Sequence, residues 1–140
     1  MKVAVVFWSG TGNTEQMADA VVEGAKAKGA EVDKIQASDF DSAKLGAYDA
    51  VAFGCPAMGD EVLEEGEFEP MFASVEGDLK GKKIGLFGSW GWGGGAWMDA
   101  WKERAENDGA VLASDPVTCE NAPDDDALKA CVALGGALAA

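Results

Sequence analysis

No histidine occurs in the 140 residues, and basic side chains are scarce, with 11 lysines and arginines against 25 aspartates and glutamates. Imidazole is the commonest general base and activator of nucleophiles, so its absence suggests that any demanding chemistry belongs to a cofactor. The formal net charge of −14 opposes binding to nucleic acid or to an anionic membrane. The same charge favours partners that carry basic patches.

Cysteines are also few, and long apolar runs are absent. Cys55, Cys119 and Cys131 form no CxxC pair and are odd in number, so neither a disulfide framework nor a zinc site is supported. Cys131 lies in a helical apolar pattern and is interpreted as a core residue. No apolar run approaches the roughly 20 residues of a membrane span, and the opening MKVAVVFW is too short for a signal peptide. We therefore expect a soluble, cytoplasmic monomer.

Apolar runs alternate with helical patterns along the chain. Buried strands are predicted at KVAVVFW, YDAVAFGC and KKIGLFGSW, a more exposed strand at AEVDKIQ, and a fifth strand at AVLASDPV, closed by Pro116. Helices are predicted over 13–28 and 68–75, in GAWMDAWKERAEND, and in the final DDDALKACVALGGALAA. This alternation predicts a single α/β domain over residues 1–140. Its five-stranded parallel sheet has the order 2-1-3-4-5, with helices on both faces.

The loop after the first strand, SGTGNT at residues 9–14, combines glycines with small hydroxyl side chains, and the first basic residue after it is Lys26. It lacks the Gly-Lys-Ser/Thr of a P-loop and the third glycine of a dinucleotide fingerprint. Free N–H groups at a helix start bind an anion without a cation, so we expect a single terminal phosphate here. The side chains available for it are Ser9, Thr11, Asn13 and Thr14. The alternative is that these residues only cap the helix.

Two further loops follow the third and fourth strands and should meet the first loop at one edge of the sheet. CPAMGDEVLEEGEFEP carries six carboxylates from Asp60 to Glu69 and no base; alone it is equally typical of a solvated acidic turn. GSWGWGGGAW places Trp90 and Trp92 around Gly91, where they either fold back onto the sheet or stack on a planar ligand. Together the loops describe a ligand with a terminal phosphate and a flat aromatic ring. Flavin mononucleotide (FMN) has that shape.

At these loops the sequence resembles the flavodoxin family, specifically its short-chain anaerobe type, and the match runs along the whole chain. The strongest matches are WSGTGNTE at 8–15, GC-AMGDEVLEE-EFEP over 54–70, GKKIGLFGS-GWG over 81–93 and WMDAWKER at 97–104. The resemblance implies a flavodoxin-like three-layer sandwich and a tightly held FMN. It also implies a low-potential one-electron carrier that cycles between semiquinone and hydroquinone, an electron-transfer protein and not an enzyme.

The resemblance further implies roles for individual residues. The phosphate ligands are Ser9, Thr11, Asn13 and Thr14. Met58 and Trp92 resemble the residues on the two faces of the flavin ring, and the Gly59–Asp60 peptide resembles one that turns over on reduction. Glu61 resembles the acceptor for the ring N3–H. The pyrimidine end lies near Ser89, Gly91 and Asn121. The complete set of expected cofactor-binding residues is Ser9, Gly10, Thr11, Gly12, Asn13, Thr14, Pro56, Ala57, Met58, Gly59, Asp60, Glu61, Ser89, Trp90, Gly91, Trp92, Gly93 and Asn121.

The sequence departs from the family pattern in three places. Pro56 stands where a serine often contacts the phosphate, and Trp90 replaces a more usual tyrosine. Gly94 and Gly95 make the following loop barer. The departures leave the expected fold and cofactor unchanged and bear on the reduction potentials.

Other functions remain open on the sequence alone. An FMN-dependent quinone or azo reductase on the same fold needs a hydride-donor site, for which the compact loops leave little space. A phosphoacceptor signalling domain needs carboxylates where the first and third strands end, and those ends carry Trp8-Ser9 and Gly54-Cys55. A non-redox binding module is the last alternative. The acidic surface favours transient encounters with basic redox proteins over the other partners considered.

Overall fold

The computed structural model describes residues 1–58, 62–91 and 95–140. Strands and helices alternate as the sequence predicts. The strands are β1 Lys2–Phe7, β2 Glu31–Gln36, β3 Ala50–Gly54, β4 Lys83–Trp90, β5 Val111–Leu112 and β6 Val117–Glu120. The helices are α1 Asn13–Ala27, α2 Ser42–Leu45, α3 Phe68–Val75, α4 Ala96–Asn107 and α5 Asp125–Leu138. The short α2, which the sequence analysis did not predict, begins after Asp41, whose side chain accepts a hydrogen bond from the Lys44 N–H.

The strands form one parallel sheet in the order β2-β1-β3-β4-β5, and β6 also pairs with β4. This confirms the predicted order. Residues 3–7 of β1 and all of β3 are buried, because each of these strands has a neighbour on both sides and helices on both faces. β2 has no strand beyond it in the described chain, and all its residues are exposed or half-buried, as predicted for a more exposed strand.

The predicted fifth strand is wrong in its extent, because it is split in two. Leu112 lies opposite Ile84 in one pairing, and Val117 lies opposite Phe87 in the next. Four residues, 113–116, therefore span the same length as two residues of β4, 85–86, and the chain bulges away from the sheet. Pro116 lies inside the bulge, consistent with its missing N–H, and the strand resumes at Val117 instead of ending there.

Helices cover both faces of the sheet. Alternate residues of β1 point to opposite sides: Val3 and Val5 belong to the apolar core on one side, and Ala4 and Val6 to the core on the other. The first core is completed by α1 and α5, and the second by α3 and α4. The resulting three layers confirm the predicted architecture.

The α1 and α5 helices pack very closely, because glycine stands where they meet. A Cβ atom added at Gly135 of α5 would lie 2.1 Å from the carbonyl oxygen of Val21 in α1. A Cβ at Gly24 of α1 would lie 1.9 Å from the carbonyl oxygen of Val132 in α5. Both distances are far below van der Waals contact, so the separation of the two helices depends on these glycines.

Candidate cofactor site

The carboxyl ends of β1, β3, β4 and β6 surround a cavity of about 250 Å³. The described residues that line it are Trp8, Gly10, Thr11, Asn13, Thr14, Pro56, Ala57, Met58, Ser89, Trp90, Gly91 and Asn121. None of these lining residues carries a charge. A ligand in this cavity is therefore contacted by neutral polar groups at the α1 end and by aromatic and aliphatic surface elsewhere.

The α1 end of the cavity is organised by Ser9 and Gly12. Gly12 begins the helix with a φ of 96°, a left-handed conformation that glycine adopts without strain. The Ser9 hydroxyl oxygen accepts hydrogen bonds from the backbone N–H of Gly12 at 3.1 Å and of Glu15 at 3.3 Å. Neither Ser9 nor Gly12 lines the cavity; both hold the loop from behind.

Thr14 and the first turn of α1 provide unused hydrogen-bonding groups. The Thr14 side chain lines the cavity, is 1% exposed, and its Oγ1 has no hydrogen-bond partner among the described residues. The backbone N–H groups of Asn13 and Thr14 likewise have no acceptor in the described part of the chain. Buried polar groups are rarely left without a partner, so this end of the cavity is shaped for a ligand rich in acceptors.

The segment after β3 forms a hairpin at the rim of the cavity. The ladder with β4 continues past Gly54, because Cys55 N–H donates to Phe87 O at 3.1 Å and Ala57 N–H to Ser89 O at 2.9 Å. Met58 and Val62 then exchange two backbone hydrogen bonds of 2.8 and 3.0 Å. Both of their side chains are exposed, at 36% and 41%, and Met58, which lines the cavity, places apolar surface on its rim.

Cys55 connects this hairpin to the core. Its carbonyl accepts a hydrogen bond of 3.3 Å from the buried indole N–H of Trp97 in α4. A Cβ at Gly88 would lie 2.1 Å from the same carbonyl oxygen, so glycine is required there for the close approach. The Cys55 thiol is fully buried, and burial raises its pKa, which keeps the sulfur as a neutral thiol.

Glu64 connects the same hairpin to α3. Its carboxylate accepts hydrogen bonds from the backbone N–H groups of Gly66, Glu67 and Phe68, at 2.6, 2.7 and 2.9 Å. Burial opposes ionisation of the Glu64 carboxyl, but the N–H groups of Phe68, Glu67 and Gly66 hold its pKa below the usual value. The backbone N–H of Glu64 donates to the Cys55 sulfur at 3.3 Å.

The third wall of the cavity comes from the end of β4. Ser89 and Trp90, which the sequence analysis placed both at the end of the predicted strand KKIGLFGSW and at the start of the following loop, are the last two residues of the strand, because their backbones pair with β6 opposite Cys119 and Glu120. Trp90 is half-buried and packs partly on the core beneath it. Asn121, which follows β6, has a φ of 56° and donates its N–H to Trp90 O at 2.7 Å.

The structure brings most of the predicted site residues together. Around the cavity lie Gly10, Thr11, Asn13, Thr14, Pro56, Ala57, Met58, Ser89, Trp90, Gly91 and Asn121. Predictions for Gly59, Asp60, Glu61, Trp92 and Gly93 fall outside the described residues.

The sequence analysis missed three contributors. Trp8 lines the cavity, and its ring packs against Gly10, where a Cβ would lie 3.1 Å away. An aromatic residue directly before a glycine loop was the available signal for it. Glu64 and the Trp97 indole support the hairpin from outside the cavity. No feature of the sequence distinguishes them from neighbouring carboxylates and core aromatics.

Comparison with known proteins shows to which family the chain is similar. The model of the family described as flavodoxin matches residues 5–135. A flavodoxin of Megasphaera elsdenii is 46% identical over 140 residues, covering 98% of each chain, and one of Clostridium beijerinckii is 44% identical, covering 96% of this chain and 97% of its own.

The chain belongs to the flavodoxin family. The solution structure of two-electron reduced Megasphaera elsdenii flavodoxin superimposes with a TM-score of 0.89 and covers 98% of both chains. As a family member the chain is an FMN-binding electron carrier, and the reductase alternative is not favoured. Within residues 1–58, 62–91 and 95–140, no helix has the length and apolar character needed to cross a bilayer.

The described residues fit FMN as the resident cofactor. The buried Thr14 hydroxyl and the N–H groups at the start of α1, which have no acceptor among the described residues, suit a terminal phosphate because they are donors for phosphate oxygens. The opposite side of the cavity, with Met58 and Trp90, suits an aromatic ring. No group of three or more His, Cys, Asp or Glu side chains suited to a metal ion occurs in the described chain.

Proposed function

We propose that the chain carries electrons one at a time and at low potential, as a monomer, between redox proteins that present basic patches. The FMN phosphate lies at Gly10–Thr14, and the flavin ring lies between the Met58 hairpin and the Trp90–Gly91 wall. The observation that carries this proposal is the Thr14 hydroxyl, which is buried at the cavity without a partner in the described chain. The roles of Gly59, Asp60, Glu61 and Trp92 remain predictions from the family resemblance.

The phosphate end of the site holds the cofactor through the dipole of α1 and through neutral hydrogen-bond donors. Asn13 and Thr14 offer backbone N–H groups at the positive end of the α1 dipole, and Thr11 and Thr14 offer hydroxyls. Ser9 contributes by fixing the loop, and its hydroxyl hydrogen stays available to donate, since both of its hydrogen bonds use the oxygen as acceptor. No described lining residue supplies a cation, which suits a phosphate that stays bound and is not transferred.

The surroundings of the ring favour a low reduction potential. FMN supplies one-electron chemistry when bound, and full reduction adds negative charge to the site. The described lining residues provide no positive charge to offset it, and the whole chain carries a net charge of −14. Negative charge in partly desolvated, like-charged surroundings is unfavourable, so the reduced protein is expected to donate electrons readily.

The absorption spectrum during stepwise anaerobic reduction tests the function. Apoprotein mixed with FMN should take up the flavin in a 1:1 ratio and reduce in two resolved one-electron steps. Direct two-electron bleaching, together with NADPH oxidation in the presence of a quinone, would favour the reductase alternative. Failure to take up FMN would overturn the proposal.

A salt series tests the proposed partners. Electrostatic steering raises association rates and is screened by salt, with a screening length of about 10 Å at 0.1 M ionic strength. The electron-transfer rate to a basic redox protein should therefore fall steeply as salt rises. A rate independent of salt would contradict the proposal of basic partners.

A further inference from the structure

Cys55 and Glu64 meet behind the cavity, at the base of the Met58–Val62 hairpin. Neither residue lines the cavity, but Cys55 directly precedes the lining residues 56–58, and it is bonded both to Trp97 and to Glu64. The Glu64 N–H donates to the fully buried Cys55 sulfur at 3.3 Å, which joins the two limbs of the hairpin.

We propose that Cys55 and Glu64 are positioning residues for the cofactor. They fix the base of the hairpin, so that Met58, which lines the cavity and is bonded to Val62, meets the flavin ring in a defined geometry. This inference rests on the proposed function, because it assigns the ring to the Met58 side of the cavity.

The limb after Val62 is held through Glu64 to a rigid part of the fold. The Glu64 carboxylate accepts three backbone N–H groups at the entry to α3, and its carbonyl accepts from Glu69 N–H at 2.8 Å. Glu69 in turn forms a bidentate ion pair with Arg104 of α4, with distances of 2.7 and 2.8 Å. Bidentate pairs of this kind have a specific geometry, so the ion pair fixes the position of this limb relative to α4.

The limb before Met58 is held through Cys55. Its carbonyl accepts from Trp97 of the same helix, and its N–H extends the ladder to β4. Both limbs are therefore held in position by contacts with α4, and the Cys55–Glu64 contact links them to each other. A change at Glu64 alters how the Met58–Val62 pair meets the ring without removing any group from the cavity.

Three variants that each remove one negative charge distinguish the effect of lost positioning from the effect of the lost charge. Glu64→Ala removes all three acceptor contacts, Glu64→Gln keeps one acceptor oxygen, and Glu65→Gln changes an exposed neighbouring carboxylate. The readouts are the two one-electron midpoint potentials and the FMN dissociation constant. We expect Glu64→Ala to change the equilibrium constant between the two steps about tenfold, which is 59 mV in their separation. Glu64→Gln should recover part of this change, and Glu65→Gln should leave the separation unaltered.

A second readout does not need the cofactor. In the apoprotein, hydrogen exchange at the Met58 and Val62 amides reports whether the hairpin base is closed, because these two amides bond each other's carbonyls. Exchange should be faster in Glu64→Ala and in Cys55→Ala. Cys55→Ser, which keeps an acceptor for the Glu64 N–H, should restore slow exchange.

Two results would overturn the inference. The first is a potential separation in Glu64→Ala equal to that in Glu65→Gln, since charge alone then explains any shift. The second is a weaker FMN affinity with both potentials displaced together, which is the pattern of a merely structural residue. A wild-type protein that does not bind FMN, or that lacks two separate reduction steps, overturns the proposed function instead and the inference with it.

Discussion

The indole N–H of Trp97 donates to the carbonyl oxygen of Cys55 at 3.3 Å, across the buried contact between α4 and the segment that follows β3. Trp101, one turn further along α4, is buried to the same degree, with 2% of its surface exposed. Its indole nitrogen has no hydrogen-bond partner among the described residues. The helix therefore contains two buried tryptophans that differ in whether the N–H is used.

Trp97→Phe should destabilise the protein more than Trp101→Phe. Both changes lose apolar contacts, but only Trp97→Phe leaves the buried Cys55 carbonyl without its donor, which costs about 1 kcal/mol more. Urea unfolding of the two apoproteins measures the difference in the free energy of unfolding. Equal losses in the two variants would show that the Trp97 hydrogen bond adds nothing to stability.

Thr14→Val should weaken FMN binding about tenfold, which is about 1.4 kcal/mol, while leaving the apoprotein as stable as the wild type or slightly more stable. The reason is that Oγ1 is buried without a partner in the described chain, so in the apoprotein it contributes only its desolvation cost. Quenching of FMN fluorescence gives the affinity, and urea unfolding gives the stability.

Ser9→Ala is the matched control for that variant. Its hydroxyl oxygen already accepts two backbone N–H groups, so its removal should lower both the affinity for FMN and the stability of the apoprotein. A Thr14→Val protein that loses stability like Ser9→Ala would contradict the assignment of Thr14 as a ligand-directed group.

Asp108→Asn should stabilise the protein at neutral pH by about 1 kcal/mol, because Asp108 Oδ2 is buried without a partner in the described residues and lies at the negative end of the α4 dipole. Burial and the Glu76 carboxylate raise the pKa of Asp108. A carboxyl whose pKa is raised by folding costs stability above that pKa and none below the pKa of the unfolded chain, about 3.9. The gain should therefore disappear as the pH falls below 3.9 in a series of urea unfolding curves.

Glu76→Gln should show the opposite pH dependence. The Arg104 guanidinium holds the pKa of the Glu76 carboxyl below its usual value, through a hydrogen bond of 2.8 Å. Its contribution is present above the unfolded pKa and is lost as pH falls through the lowered folded pKa. The variant should be less stable by about 0.5 to 1 kcal/mol at neutral pH and equal to the wild type in acid. Parallel pH profiles for the two variants would contradict at least one of the two assignments.

Gly135→Ala should destabilise the protein by about 1–3 kcal/mol or more, because the added methyl would overlap the Val21 carbonyl and force α1 and α5 apart. Gly77→Ala is the control, since a Cβ there meets nothing within 4 Å. That variant should be as stable as the wild type or slightly more stable. Thermal unfolding of both variants measures the difference, and a tolerated Gly135→Ala would mean that the helices can separate freely.

The sequence was sufficient for the sheet order and for most helices, because strong patterns encode them. VAVVF, at residues 3–7, is apolar without interruption and is buried on both faces of the sheet, and residues 68–75 have the predicted helical bounds. The split of the fifth strand was not predictable in the same way. It depends on how residues 113–116 fit against two residues of β4, which is a matter of register between distant segments.

The candidate site, like the fold, was predictable from the sequence only in part. The glycine and hydroxyl pattern at 9–14 predicts an anion cradle. It does not show that Ser9 uses its oxygen inside the loop while the Thr14 hydroxyl has no partner among the described residues. Glu64 is one of six carboxylates between Asp60 and Glu69. Only the backbone path of residues 64–68 shows that this one receives three N–H groups.

The residues that line the cavity come from stretches of chain that are far apart in sequence, within 8–14, 56–58 and 89–91 and at 121. A ligand held there works as a reversible cross-link, because the unfolded chain cannot keep these stretches together. The free concentration of the ligand then affects the free energy of unfolding directly. At 100 times the dissociation constant, a ligand that binds only the folded state raises the free energy of unfolding by about 2.7 kcal/mol. We therefore expect the folded fraction of the chain to rise with the supply of the cofactor.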